Sequence, residues 1–127
     1  MARPVIWIAR RLSDATLVRA ERDYDIIVNH DDIPYNGDAI IKMSGQVDGI
    51  IACHSEHFSK AIVDALDARL KIVANYSVGI DHCDLPAFAA RGIAVTNTPD
   101  VLSDATAEIS LLLMLGAARR AVEGDRM

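Results

Sequence analysis

Five short runs of apolar residues recur along the chain, and turn residues or polar loops bound each of them. The runs are rich in Val and Ile and are four to six residues long, which is typical of buried strands in a parallel sheet. They cover residues 5–9, 24–28, 48–53, 71–75 and 93–96. The pattern therefore predicts five β-strands.

Segments with helical spacing of apolar residues separate these runs and predict the connections. In the clearest one, at residues 85–91, Asp84 can cap the first turn, Pro86 suits that turn and Gly92 can end the helix. The other predicted helices cover residues 14–22, 38–44, 59–68 and 103–123. Strands and helices that alternate in this way form a parallel sheet with right-handed crossovers. We therefore expect a flavodoxin-like α/β fold, a five-stranded parallel sheet of order 2-1-3-4-5 with helices on both faces.

The last predicted helix differs from the others because residues 109–115 (ISLLLML) are apolar on nearly every side. Such a helix is buried all round, and one face of a sheet cannot cover it. We therefore divide the chain into a lobe at residues 1–102 and a long buried helix at residues 103–127. A second domain or a partner subunit is expected to cover this helix, so that the sequence is the front part of a longer protein.

Composition and charge narrow the class of protein. The 127 residues carry 13 Lys and Arg against 18 Asp and Glu, for a net charge of −5, so nucleic acid and anionic membranes are not expected partners. The longest apolar stretch, at residues 109–118, is too short to span a bilayer. Cys53 and Cys83 form neither a CxxC motif nor a zinc site with the histidines. We therefore expect free thiols in the cytoplasm and no metal.

Candidate chemistry lies where the predicted strand at residues 71–75 ends, in the turn formed by Ser77, Val78 and Gly79. Ligands of open parallel sheets bind just beyond the carboxyl ends of strands. Gly79 lets the backbone approach a ligand closely, and successive N–H groups of such a turn can cradle a carboxylate. A turn that binds no ligand would show the same pattern, so the residues alone leave both interpretations open.

Neighbouring polar residues are assigned mainly structural roles. His54 lies at the end of another strand, where it is either a hydrogen-bonded wall residue or a ligand-binding residue. Asp81 is expected to brace the turn, and His82 to donate or accept a structural hydrogen bond at the turn rather than to act as a general base. Thr106 lies in the first turn of the last helix, where its hydroxyl caps the helix or reaches a polar ligand. Glu108 is explained by the dipole of that helix.

Four motifs between residues 71 and 120 fit one known family. They are VGIDH at residues 78–82, GIAVTNTPDVL at residues 92–102, ATAE at residues 105–108 and ARR at residues 118–120. Together they resemble the D-isomer-specific 2-hydroxyacid dehydrogenases. The SEH triplet at residues 55–57 and the segment at residues 76–83 are most similar to the glyoxylate and hydroxypyruvate reductase branch. Upstream of residue 71, only the fold pattern and the strand end at residues 48–55 agree with the family.

The resemblance implies the N-terminal part of a two-domain oxidoreductase that uses NAD or NADP. Such enzymes act on the CH–OH group of small 2-hydroxy acids and reduce 2-keto acids such as glyoxylate or hydroxypyruvate. The N-terminal part and a C-terminal return helix form a substrate-binding lobe, and a nucleotide-binding Rossmann lobe is inserted between them. Members are usually dimers, so a homodimer is expected.

The resemblance also assigns site residues. The turn at Val78 and Gly79, together with Ser77, is expected to hold the substrate carboxylate, and the loop at His54 and Ser55 to line the substrate pocket. Thr106 and Val78 are expected to contact the cofactor, with Thr106 near its nicotinamide end. The catalytic Arg, Glu and His of the family and its G-x-G-x-x-G fingerprint fall beyond residue 127. No catalytic residue is therefore expected in this chain, which alone is predicted to be inactive.

The alternative is a non-catalytic flavodoxin-like binding module or a corepressor-type regulatory module, because relatives of the family serve as corepressors. A response-regulator receiver needs clustered acids after its first strand, where this chain has Arg10-Arg11-Leu12. A flavin carrier needs a phosphate-binding loop there, and Ser13 with Thr16 is a poor match. The enzyme lobe is therefore the preferred hypothesis, and the residues downstream of residue 127 would discriminate best.

Overall fold

The predicted strands form one parallel sheet in the computed structural model, which describes residues 2–126. The strands run in the order β2-β1-β3-β4-β5, so the predicted fold class and strand order are confirmed. The strands are β1 Val5–Ile8, β2 Asp25–Val28, β3 Gly49–Ala52, β4 Ile72–Asn75 and β5 Ala94–Thr96. Because the strands are parallel, the carboxyl ends of β3 and β4 lie side by side.

Six helices connect or follow the strands. They are α1 Asp14–Asp23, α2 Gly37–Ser44, α3 Lys60–Ala65, α4 Leu85–Arg91, α5 Ser103–Ala118 and α6 Ala121–Asp125. The predicted caps of α4 are confirmed, since the Asp84 side chain accepts a hydrogen bond from the Ala87 N–H and Gly92 adopts a left-handed φ of 64°. Helix α3 is shorter than predicted, because Leu66 is extended with ψ 147° and packs into the core.

The core lies on one face of the sheet, beneath α2, α3 and α4. Register places Trp7 beside Ile50 and Ile50 beside Val73, so these three side chains point to the same face. All three are buried. Phe58 and Phe88 pack against each other in the same core, with ring centroids 5.5 Å apart.

The opposite face is covered only in part by the described residues. Helix α1 packs along β2, and beside it an apolar groove of about 930 Å³ remains open over the middle of the sheet. Side chains that alternate with those of the core line this groove, among them Ile6, Ile51 and Ile72. One face of the sheet is therefore covered by helices, and the other face has room for a further element.

The C-terminal helix differs from the prediction in its length. A single helix through residue 123 was expected, but α5 ends at Ala118 and Arg120 takes a left-handed φ of 50° before α6 begins. The apolar residues of α5 are exposed in the described chain, with Leu112 at 63% and Met114 at 68%. Their burial in a larger assembly stays a prediction. The helices described here are all too short or too polar to cross a membrane.

Candidate functional site

An open groove of about 680 Å³ lies where β3 and β4 end, and we call it the β3–β4 groove. It brings together four of the predicted site residues, His54 from the loop after β3 and Ser77, Val78 and Gly79 from the turn after β4. The other lining residues are Cys53, His57, Tyr76, Asp81, His82 and Leu102. The strand-end position that the sequence indicated is therefore a concave surface.

The turn at residues 77–79 is held by hydrogen bonds to its carbonyl groups. The Ser77 hydroxyl donates to the Gly79 carbonyl at 2.8 Å, the Asn97 amide donates to the Val78 carbonyl at 2.8 Å, and the Thr98 N–H donates to the Ser77 carbonyl at 3.0 Å. Among residues 2–126, no hydrogen bond has the N–H of a turn residue as its donor. The carbonyl groups of the turn accept hydrogen bonds from the protein, whereas its N–H groups have no acceptor there. A turn of this kind can bind an anion through its N–H groups.

The braces of this turn are not the ones predicted. Asp81 was expected to brace it, but Asp81 is exposed and its side chain makes no hydrogen bond within the described chain. The neighbouring loop supplies the brace instead, because β5 runs parallel to β4 and brings Asn97 alongside the turn.

Gly79 leaves open space over the turn. Its φ is not in the left-handed region, so the backbone there does not need a glycine. A Cβ atom built on Gly79 meets no other atom within 4 Å. The absence of a side chain therefore leaves open space beside the turn.

His82 is fixed to the end of β4 rather than to the turn, so its predicted partner is wrong. Its Nε2 lies 2.8 Å from the Asn75 Oδ1, and the Asn75 amide donates to the Thr96 carbonyl at 3.1 Å. Because a carbonyl only accepts, the Asn75 oxygen must face the imidazole, and His82 Nε2 must carry the proton. Burial, and then the charges of His57 and His54, lower the pKa of His82, which keeps the imidazole neutral at physiological pH.

A buried carboxylate holds the loop after β3. Glu56 is fully buried and accepts hydrogen bonds from the Cys53 N–H at 3.0 Å and from the Ser55 hydroxyl at 2.9 Å. Arg10 donates to the same Ser55 hydroxyl at 2.7 Å and to Asp32 at 2.9 Å. The hydrogen bond to Asp32 raises the pKa of Arg10. The loop that carries His54 is thus set by a hydrogen-bonded charge network.

This network also explains the position of Ser55, which was predicted to line the pocket. Ser55 is not among the residues that line the β3–β4 groove, because its hydroxyl is engaged by Arg10 and Glu56. Its effect on the groove is therefore exerted through the loop backbone.

Thr106 lies just beyond the rim of the groove. Its hydroxyl donates to the carbonyl of Leu102 at 2.8 Å, a backward bond within the first turn of α5 rather than a cap on a free N–H. Leu102 itself lines the groove, so Thr106 is one helical turn away from it. The hydroxyl oxygen keeps its lone pairs and can still accept a hydrogen bond from a ligand.

Several contributors to the groove were not singled out from the sequence as site residues. Among them, His57 lines the groove, Asn75 orients His82 and Asn97 braces the turn. The spacing of His57, three residues after His54 in a loop at a strand end, was an available signal. Within residues 2–126, no three His, Cys, Asp or Glu side chains converge to hold a metal ion.

The sequence pattern of one protein family matches almost the whole chain. It is described as the catalytic domain of the D-isomer specific 2-hydroxyacid dehydrogenases, and it matches residues 6–122. The chain belongs to this family. The predicted resemblance is therefore confirmed, and the residues that line the β3–β4 groove all lie in the part of the chain that this family pattern matches.

Individual relatives agree with the family. A glycerate dehydrogenase from Hyphomicrobium methylovorum is 40% identical over 127 residues, which are all of this chain and 39% of that protein. A glyoxylate reductase from Pyrococcus horikoshii is 36% identical over 124 residues, 98% of this chain and 37% of that protein. The chain therefore spans less than two fifths of the length of these curated relatives.

A solved structure shows the same fold. A protein from Polaromonas sp. JS6 66, described as an NAD-binding member of the same dehydrogenases, has 35% sequence identity and a TM-score of 0.82. The match covers 98% of this chain and 39% of that one. The sheet and the groove thus correspond to the N-terminal part of a larger 2-hydroxyacid dehydrogenase.

Proposed function

We propose that the chain is the substrate-binding lobe of an NAD(P)-dependent oxidoreductase that reduces small 2-keto acids to 2-hydroxy acids. Glyoxylate and hydroxypyruvate are the proposed substrates. The proposal rests on the turn at residues 77–79. Its carbonyl groups accept hydrogen bonds, while its N–H groups have no acceptor in the described chain. The relatives named glyoxylate reductase and glycerate dehydrogenase support the same substrate class.

The role of this lobe is to hold and orient the acid. The carboxylate lies on the N–H groups of Val78 and Gly79, in the space that Gly79 leaves open. Tyr76 and Leu102, which line the same groove, shield the keto group from water. NAD(P)H, when bound, supplies the hydride, and the proton donor and the cation that polarises the keto group come from residues outside this sequence.

The residues of this chain could form only the edge of a cofactor site. Thr106 and Val78 are the proposed contacts, because Val78 lines the groove and Thr106 lies one helical turn beyond Leu102, which also lines it. The sequence has no G-x-G-x-x-G turn, which is the element that usually holds the pyrophosphate. We therefore assign residues 1–102 to the substrate lobe and residues 103–127 to the lead into a nucleotide-binding domain that holds most of NAD or NADP.

The same proposal accounts for the two uncovered apolar surfaces. The open face of the sheet, with its groove of about 930 Å³, receives the C-terminal return helix that the family resemblance implies. The exposed α5 lies in a homodimer interface or under the second domain. Cys53 and Cys83 are both free thiols, in keeping with a protein of the reducing cytoplasm.

The proposal is tested with oxamate, a stable carboxylate analogue of glyoxylate, followed by NMR of the backbone amides. Oxamate should shift the amide signals of Val78 and Gly79 more than those of the opposite sheet edge, and a protein that also contains the downstream domain should oxidise NADH or NADPH with glyoxylate. If neither amide responds to oxamate, the proposed substrate site is wrong. If the amides respond but the longer protein turns over neither cofactor, a non-catalytic binding module becomes the better hypothesis.

A further inference from the structure

The β3–β4 groove, where the proposed function places the substrate carboxylate, has no strongly basic side chain in its described lining. None of the described residues that line it is Lys or Arg, and one of them, Asp81, is an acid. Three of the four histidines of the chain line it instead, namely His54, His57 and His82. If a carboxylate binds here, the only side chains of this lobe that can offset its charge are imidazoles.

The three imidazoles are not equivalent. His82 is half-buried, its Nε2–H is directed at Asn75, and burial lowers its pKa, so it stays neutral and acts as a fixed wall. His54 and His57 are exposed, so solvent and a ligand in the groove can both reach their rings. These two are therefore the imidazoles that can respond to the charge of a bound carboxylate.

The atom of His54 that gains the proton follows from its partner. The Cys53 thiol donates to the Tyr76 carbonyl at 3.4 Å, and its sulfur lies 3.2 Å from the His54 Nδ1. Because the thiol hydrogen is directed at a carbonyl, the sulfur accepts from the Nδ1–H of His54. The neutral ring then has its lone pair on Nε2, and protonation creates a new N–H donor there.

We propose that His54 and His57 recognise the charge of the substrate carboxylate, so that binding of the acid to this groove takes up a proton. The proposal rests on the proposed function and refines it, since the uncharged N–H groups of Val78 and Gly79 fix the position of the carboxylate and the two imidazoles respond to its charge. Binding is then stronger in mildly acidic than in alkaline solution.

Two acids lie close to the two imidazoles. Asp81 lines the groove, and the buried Glu56 accepts hydrogen bonds from the Cys53 N–H and the Ser55 hydroxyl on either side of His54. The third imidazole is coupled to the other two, because charges on His57 and His54 add to burial in lowering the pKa of His82. Arg10 acts on the loop from behind, through Ser55 and Asp32. A carboxylate that binds in the groove adds a negative charge near His54 and His57 and so favours their protonation.

The experiment is a titration of the 127-residue chain with oxamate, whose charge is constant over the range used. NMR of the imidazole carbon-bound protons gives the pKa of each histidine, and the amide signals of Val78 and Gly79 give the dissociation constant. We expect the affinity to rise about tenfold from about pH 8.5 to about pH 6.5, because linked uptake of one proton changes affinity by up to tenfold per pH unit. Oxamate should raise the pKa of His54 and His57.

The variants are the double substitution His54→Gln, His57→Gln and the matched control His30→Gln. His30 follows β2 and does not line the groove. The control should keep the tenfold change, whereas the double variant should show less than about a twofold change, with oxamate still shifting the amides of Val78 and Gly79.

The outcomes separate the two proposals. If oxamate shifts both amides with the same affinity at every pH, or if the double variant keeps the tenfold change, the role of the histidines is overturned and the proposed substrate site stands. If oxamate shifts neither amide at any pH, the proposed substrate site fails and the histidine proposal fails with it. The histidine pKa values in the unmodified chain give the same answer without any variant, so a poorly folded variant does not leave the question open.

Discussion

Gly79 is the residue at which the fold and the proposed site make different demands. The fold tolerates a side chain there, because no atom lies within 4 Å of the added Cβ and the backbone φ is not left-handed. The proposed ligand on the turn is expected not to tolerate it, because the side chain would fill open space beside the turn. We therefore expect Gly79→Val to weaken oxamate binding at least tenfold, or about 1.4 kcal/mol, and to raise KM for the keto acid in the longer protein.

The matched control for this prediction is Gly79→Ala, which adds only the Cβ and should give an intermediate loss. Thermal unfolding followed by circular dichroism should give the same midpoint for both variants and the parent chain. Unchanged oxamate affinity in a normally folded Gly79→Val chain would remove the carboxylate from this turn.

His82 gives a prediction about stability and pH. Burial lowers its pKa in the folded chain below the ordinary value, so between the two values the unfolded chain binds more protons than the folded one. The contribution of His82 to stability is therefore present above about pH 6.5 and is lost as the pH falls through its folded pKa. His82→Gln keeps a donor for Asn75 but does not titrate, so this variant should lose less stability on acidification. Urea unfolding at neutral and mildly acidic pH measures the difference, and an equal loss in both chains would contradict it.

The residues that support the site were the hardest to predict from sequence. His54, Ser77, Val78 and Gly79 follow from one rule, that ligands bind at the carboxyl ends of parallel strands, and all four line the groove. The burial of Glu56 does not follow from any local pattern, because a polar loop residue is normally exposed and only the folded loop brings its partners together. The partners of Ser55, Arg10 and Glu56, could not be predicted from sequence for the same reason.

At the scale of single elements, α4 offers the sharpest test because both of its ends were predicted and confirmed. The Asp84 carboxylate accepts from the Ala87 N–H at 3.0 Å. Asp84→Ala removes this cap and should lower the free energy of unfolding by about 1 kcal/mol, whereas Asp84→Ser should retain most of it. Urea denaturation of the two variants measures the loss in the free energy of unfolding. If the two variants are equally stable, the cap does not contribute to stability.

The ends of other elements were less predictable because contacts distant in sequence set them. Helix α3 stops early, and Arg91 of α4 donates hydrogen bonds to the carbonyls of Val63, Asp64 and Leu66 at its end. An arginine more than twenty residues away cannot be assigned as a cap from a local pattern. The break between α5 and α6 depends on the left-handed backbone of Arg120, a residue type that normally continues a helix.

On the scale of the whole molecule, α5 presents an apolar surface with no cover from the described chain. Leu112 is 63% exposed, and its neighbours Leu111 and Leu113 are exposed to a similar degree. Apolar surfaces of this kind mark sites of association. We expect the chain to self-associate through α5, so that Leu112→Asp shifts size-exclusion elution towards the monomer. The matched control is Val18→Asp, because Val18 is 67% exposed on α1 and lies outside this surface. The same elution volume for all three chains would contradict the prediction.

The proposed division of the site between two domains leads to a prediction about the chain alone. A dinucleotide normally sits on a glycine-rich turn at a helix N-terminus, and the seven glycines of this sequence do not form such a turn. Thr106 and Val78 are the proposed cofactor contacts, and they leave most of the dinucleotide in water. A lobe that forms only one side of a cleft lacks the convergent contacts that produce affinity for a dinucleotide.

We therefore expect the 127-residue chain to bind NADH and NADPH more weakly than about 1 mM, or about −4 kcal/mol, and to oxidise neither in the presence of glyoxylate. Calorimetric titration measures the binding, and loss of the reduced-nicotinamide absorbance measures turnover. Oxamate binding to the same preparation is the control, because a folded lobe that binds the acid but not the cofactor separates the two halves of the site. Micromolar binding of either cofactor would mean that these residues contain a nucleotide site of their own, and the assignment of the cofactor to a downstream domain would then be wrong.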